Sequence, residues 1–91
     1  MVNYHLTIYG RVQGVGFRWA VFQLANHQQL TGLVRNQADG SVYCELQGQE
    51  AAVKELITQI KAGPTPYAKV IDVQISRGEI ANYNNSFSIS R

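Results

Sequence analysis

The hydrophobic positions of this chain change period several times, and each change marks a predicted element. Tyr4, Leu6 and Ile8 alternate with His5, Thr7 and Tyr9, the period of two that belongs to a strand with one covered face. Residues 10–16 bring in three glycines and break the alternation, which predicts a loop. Over residues 17–30 the spacing becomes helical: Phe17, Ala20, Val21, Leu24 and Ala25 share one face, and Trp19, Gln23 and Asn26 the opposite one. Residues 31–37 predict a second strand, and Ala38-Asp39-Gly40-Ser41 carries the Asp-Gly signal of a tight turn. Val42, Cys44 and Leu46 then alternate with Tyr43, Glu45 and Gln47, a third strand that closes a hairpin and stops at Gly48.

Residues 49–62 give the clearest helix, with Val53, Leu56, Ile57 and Ile60 at i, i+3, i+4 and i+7. Gly63-Pro64 is a helix stop. Residues 65–68 predict a loop, and residues 69–76 a strand with Ile71, Val73 and Ile75 on one face. Residues 78–85 look irregular. Phe87 and Ile89 alternate with Ser86, Ser88 and Ser90, a short final strand. The order is β-α-β-β-α-β plus a terminal strand. Two amphipathic helices need a surface to cover, and one sheet supplies it. The expected fold is α+β, a ferredoxin-like split β-α-β sandwich in which an antiparallel sheet carries two helices on one face. No linker or internal repeat divides the chain, so residues 1–91 are expected to form one domain.

Composition narrows the function. At 45% hydrophobic and 15% charged, the chain has enough apolar surface to offset the entropy of ordering it, so disorder is not expected. A net charge of +2 with scattered Lys and Arg is too weak for a nucleic-acid stripe but compatible with a small anion. Cys44 is the only cysteine, which excludes a disulfide framework and a cysteine-based metal site. No basic-then-apolar leader and no bilayer-length apolar run is present, and the absence of disulfides fits a reducing cytosol, so a cytoplasmic protein away from membranes is the expectation; a monomer is also expected.

The chemistry concentrates in Gly10-Arg11-Val12-Gln13-Gly14-Val15-Gly16-Phe17-Arg18, between the first strand and the first helix. Glycines allow a sharp turn and close approach of a ligand to the backbone. Successive N–H groups in such a loop can converge on an anion, and the helix that follows adds its unsatisfied N–H groups and positive dipole end. Arg18 can fork two donors onto phosphate oxygens. The loop fits neither nucleotide fingerprint: Gly16 is followed by Phe17-Arg18 where a Walker A loop has Lys and Ser or Thr, and Trp19 stands where the dinucleotide pattern has its third glycine.

At every position this run resembles the first motif of the acylphosphatase family. Gly32-Leu33-Val34-Arg35-Asn36, followed by Gly40, Val42 and Gly48, resembles its second, and the likeness covers nearly the whole chain. The resemblance implies hydrolysis of the carboxyl–phosphate bond of acyl phosphates to a carboxylate and inorganic phosphate, with no metal and no organic cofactor. It implies that Arg18 binds phosphate, with the loop amides of Gln13, Gly14, Val15, Gly16 and Phe17, and that Asn36 orients the attacking water. Leu33 departs from it, since the family usually has an aromatic residue there.

The remaining candidates read more simply. His5 is expected on a strand surface, His27 near the negative end of a helix, and Cys44 in apolar packing with no histidine to activate it. Trp19 reads as an exposed aromatic, with a cover over the mouth of the loop as the alternative. Tyr43, Tyr67 and Tyr83 read as sheet or loop packing, and Arg11 as a solvated loop charge. An RNA-binding domain of the same topology would display aromatics along its central strands, yet the third strand offers only Tyr43 and adds Glu45. A phosphate sensor shares the loop, but a pure binder has no use for a residue that places water.

Overall fold

In the computed structural model, which describes residues 1–90, the chain forms β1 (Val2–Arg11), α1 (Phe17–His27), β2 (Thr31–Asn36), β3 (Val42–Gly48), α2 (Glu50–Ala62), β4 (Lys69–Arg77) and β5 (Phe87–Ser90). The strands make one sheet in the order β4-β1-β3-β2-β5. β3 pairs antiparallel with both β1 and β2, so these two run the same way and α1 crosses between them. That is the expected split β-α-β arrangement.

One edge departs from the antiparallel sheet expected: β5 pairs parallel with β2. The reason is where β4 leaves the chain. β4 runs antiparallel to β1 and finishes beside Tyr4, at the end of the sheet where β1 and β2 begin. The connection of residues 78–86 stays at that end, with Gly78 N–H donating to Asn3 O and Ala81 bonded to the Gln47 side chain. A strand starting there can run only in the direction of β2.

Leu6, Ile8, Val34, Val42, Cys44 and Leu46 are fully buried and come from alternate positions of their strands. Phe17, Val21 and Ala25 of α1 join them, as do Val53, Leu56, Ile57 and Ile60 of α2, in a single apolar cluster. Each fully buried side chain of this size contributes about 1.5–3 kcal/mol. A one-residue slip of any central strand would turn its set to the opposite face, so this cluster also fixes register.

Two local readings fail for identifiable reasons. β4 was expected to bury Ile71, Val73 and Ile75, but Tyr9 pairs with Asp72 while Gly10 pairs with Val70, leaving Ile71 as an unpaired bulge residue. The period of two breaks there. Val70 and Val73 pack on the core, Ile71 is 74% exposed, and Ile75 is exposed at the sheet edge. The first helix stops at His27 rather than at residue 30. Leu30 N–H donates to Ala25 O and Gln29 N–H to Asn26 O, a Schellman motif that returns buried Leu30 to the core. Gln29 takes the left-handed conformation this requires, at φ 59°. Glycine adopts it without a Cβ penalty, so Gln29→Gly is expected to stabilise the fold by about 0.5–1 kcal/mol, read as a higher urea midpoint at unchanged slope.

The sheet face away from the helices carries a polar network. Tyr43 and Tyr83 hydroxyls both donate to the Glu45 carboxylate, and Asn3 Nδ2 donates to Gln47 Oε1 and to the Tyr83 hydroxyl. Burial pushes the Glu45 carboxyl up, but the two tyrosine bonds and neighbouring His5 and Arg35 together hold it below the usual carboxylate range. Tyr83 is pushed up to about 12, by burial and by its bond to Glu45. These contacts pin residues 78–86 across the sheet. Tyr67, expected to pack, is 74% exposed.

Candidate active site

β1, β2 and β5 all finish at the same end of the sheet, and α1 begins there. Between them lies an open cavity of about 270 Å³. Gly14, Gly16 and Arg18 line it from the loop and helix start, Asn36 from the end of β2, and Trp19 and Ile89 from its rim. The two sequence motifs therefore meet, because the split β-α-β crossover sets the first loop beside the end of the second strand.

The loop is held from both sides. Val12 is buried, and Val15 packs against the core. Gln13 Nε2 donates to Gln37 O at 2.8 Å and Ser41 O at 2.9 Å, tying the loop to the β2–β3 turn. That turn is the one expected: Gly40 N–H donates to Gln37 O, and Asp39 Oδ1 accepts from the backbone N–H and hydroxyl of Ser41. The Ser41 hydroxyl and backbone bonds hold the Asp39 carboxyl below its ordinary range. Of the residues expected to bind ligand, Gln13, Val15 and Phe17 have side chains committed to the fold, with Phe17 in the core. What they can offer an anion is backbone N–H.

Gly16 caps α1 in the left-handed conformation, at φ 75°, with no side-chain cap, and Gly16 O accepts from Ala20 N–H. The first turn contains Arg18 and no acidic residue. A cation at the positive end of a helix is unfavourable by a few tenths of a kcal/mol, up to about 1, and a bound anion reverses that sign. Arg18 Nη1 donates to Ser90 O at 2.8 Å. A guanidinium has five N–H donors, so this bond fixes the fork and leaves donors free for a ligand.

Asn36 lies on the same face of β2 as buried Val34, two residues further on, and pairs through its backbone with Val42. Its Oδ1 is buried and has no hydrogen-bond partner among the described residues. An unpaired buried acceptor costs about 1–3 kcal/mol, so it is a ready acceptor for a water.

Other candidates lie elsewhere. Cys44 is fully buried, and burial pushes its thiol well above the ordinary range, which removes it as a nucleophile. His5 sits on the far face of the sheet, 3.9 Å from Glu45, and His27 is exposed in the last turn of α1. Leu33 faces away from the cavity, opposite Glu45 and beside Ser88. Its departure from the motif falls on that far face. Among the described residues, no three His, Cys, Asp or Glu side chains converge. Sequence reasoning missed Ile89 and the Ser90 carbonyl. The alternation of residues 86–90 gave the face of Ile89 but not the strand it would join.

A glycine-rich loop, a cation at a helix N-terminus and an unpaired carboxamide line one cavity. The acylphosphatase family model matches residues 4–89. The chain belongs to the acylphosphatase family. A Ligilactobacillus salivarius acylphosphatase is 41% identical over 90 residues, with 99% of each chain covered. The crystal structure of acylphosphatase from Bacillus subtilis superposes with a TM-score of 0.93 at 35% identity over the whole of both chains. An acylphosphatase from Coxiella burnetii gives 0.91 at 31% identity, covering 98% of this chain and 92% of that one. The chain is thus an enzyme of the acylphosphatase class, hydrolases acting on acid anhydrides, with the ferredoxin-like α+β fold. Membership in that class takes the place of the RNA-binding reading. Among the described residues, no helix is long and apolar enough to cross a membrane.

Proposed function

We propose that the chain hydrolyses the carboxyl–phosphate bond of small acyl phosphates, with Arg18 and the amides of residues 13–18 binding the phosphoryl group and Asn36 orienting the attacking water. The observation that carries the reading is the single cavity shared by Gly14, Gly16, Arg18 and Asn36. An acyl phosphate is an activated mixed anhydride, so its carboxylate already leaves well. Phosphoryl transfer then needs mainly placement and charge stabilisation. Arg18 and the loop N–H groups stabilise negative charge on the equatorial oxygens.

Asn36 accepts a hydrogen bond from water through its side-chain oxygen and is too weak a base to take the proton. Its part is orientation, which in favourable cases lowers a barrier by about 7–11 kcal/mol. The water oxygen bonds to phosphorus as the bond to the acyl oxygen breaks. The electron pair leaves with the carboxylate, and the proton passes to a phosphoryl oxygen and departs with inorganic phosphate. The proposed reaction needs no metal or organic cofactor, and a monomer is the form we propose. The test is turnover of benzoyl phosphate with a chelator present: release of benzoate and phosphate in equal amounts is expected, and no turnover would refute the reading.

A further inference from the structure

The phosphoryl group claims Arg18, the loop amides and Asn36, which leaves the rim of the cavity for the other half of the substrate. That rim is apolar. Trp19 is 57% exposed and Ile89 is 37% exposed, although both line the cavity. An exposed tryptophan normally samples several rotamers, but this one is braced. Its ring stacks on Phe22 with centroids 5.3 Å apart and planes at 21°. Phe22 in turn leans on buried Phe87, at 6.4 Å. The indole is therefore ordered before any ligand arrives, and a ligand packing on it does not meet the cost of fixing it. Ile89 lies two residues beyond Phe87 on β5, so the strand that braces Phe22 also delivers the second apolar side chain.

We propose that Trp19 and Ile89 form the subsite for the acyl group, and that the preferred acyl group is planar and apolar, an aryl acid rather than a short or charged one. This rests on the acyl-phosphate reading above. An aromatic ring gains offset stacking on an indole that an acetyl group is too small to make. Charge works in the same direction. Arg18 is the only charged residue lining the cavity among the described residues, and it is committed to phosphate. A second carboxylate or an ammonium on the acyl group would be partly desolvated against Trp19 and Ile89, with no charged partner for it other than Arg18 among the described lining residues. Trp19 follows Arg18 directly in the first turn of α1, so a phosphate on Arg18 and a ring on Trp19 are within reach of one small molecule.

The test compares kcat/KM for benzoyl phosphate and acetyl phosphate in the parent, Trp19→Ala, Trp19→Phe and Ile89→Ala. The parent is expected to favour benzoyl phosphate. Trp19→Ala lowers the benzoyl-to-acetyl ratio by about tenfold, mainly through KM, and Trp19→Phe restores most of it. Ile89→Ala lowers the ratio by about threefold. Competitive inhibition by inorganic phosphate, read alongside, reports whether the neighbouring Arg18 loop is undisturbed. Should Trp19→Ala not fold, Trp19→Phe and Ile89→Ala carry the comparison. A parent that turns over both substrates with a ratio unmoved by these variants overturns the acyl subsite and leaves the hydrolase reading standing. A parent that turns over neither removes both.

Discussion

Arg18→Ala is expected to lower kcat/KM for benzoyl phosphate by about 10³-fold, and to abolish competitive inhibition by phosphate over the range that inhibits the parent. Three effects add. Among the described residues the guanidinium supplies the only charged donors lining the cavity. Its loss leaves the backbone amides and the start of α1 as the remaining attraction for an anion, and a helix N-terminus contributes about 0.3–1 kcal/mol. The Ser90 carbonyl also loses its donor, and β5, which carries Ile89, keeps its apolar contact with the helix through Phe87 but loses its polar tie. Arg18→Lys keeps the charge but not the planar fork, and a single ammonium cannot hold Ser90 O while presenting two parallel donors to phosphate. It should recover only a small part of the loss. Stability should change little, because Arg18 is part-exposed and outside the apolar cluster.

Gly32→Ala is expected to have the opposite profile, destabilising the whole fold by about 3 kcal/mol or more, with a large fall in the urea midpoint. Gly32 has φ 142°, where a side chain is strained. A Cβ there would drive into the Glu45 carbonyl, lying 2.8 Å from its carbon and 3.3 Å from the ring of Phe87. The obstacle on the β3 side is backbone, held in register by the pairing of Gly32 with Leu46, and Gly32 N–H also donates to Ser86 O. The Phe87 ring can shift by a few tenths of an ångström, but the Glu45 carbonyl cannot give way without disturbing the pairing of β3. Domains of this size have about 5–15 kcal/mol in total, so the loss is a large fraction of it. Gly40→Ala is the comparison: φ is also positive, at 92°, but nothing lies within 4 Å of the added methyl. Only backbone strain remains there, about 1–2 kcal/mol. The first glycine of the second motif is thus explained by strand packing, while Asn36 four residues later lines the cavity.

How far the sequence could be read follows from what each signal depends on. Leu6 and Ile8, Cys44 and Leu46, and Val53 to Ile60 announced their elements, because one buried face per element imposes a period that local sequence records. The bulge at Ile71 did not, since it arises from how β4 fits against β1. The left-handed Gln29 hid the end of α1, because glycine usually marks that position. The direction of β5 depended on the route of residues 78–86, held by Asn3 of β1 and by Glu45 and Gln47 of β3, all distant in sequence. The site divides in the same way. Arg18 and Asn36 were singled out from residue type and motif, and their meeting in one cavity follows from the split β-α-β crossover. Motif reading grouped Gln13 with the ligand-binding amides and did not show that its side chain ties the loop to the β2–β3 turn. The Ser90 carbonyl is backbone and leaves no mark in composition.

The central claim is a division of labour, in which Arg18 and the loop hold the phosphoryl group and Asn36 places the water. The measurement that tests it most directly is kcat for benzoyl phosphate in Asn36→Ala, taken together with the inhibition constant of inorganic phosphate. Removing the carboxamide should cut kcat by about 10²-fold while phosphate inhibition stays within about threefold of the parent. A folded variant that retains kcat within a few-fold, or that loses phosphate binding in step with kcat, would contradict the account.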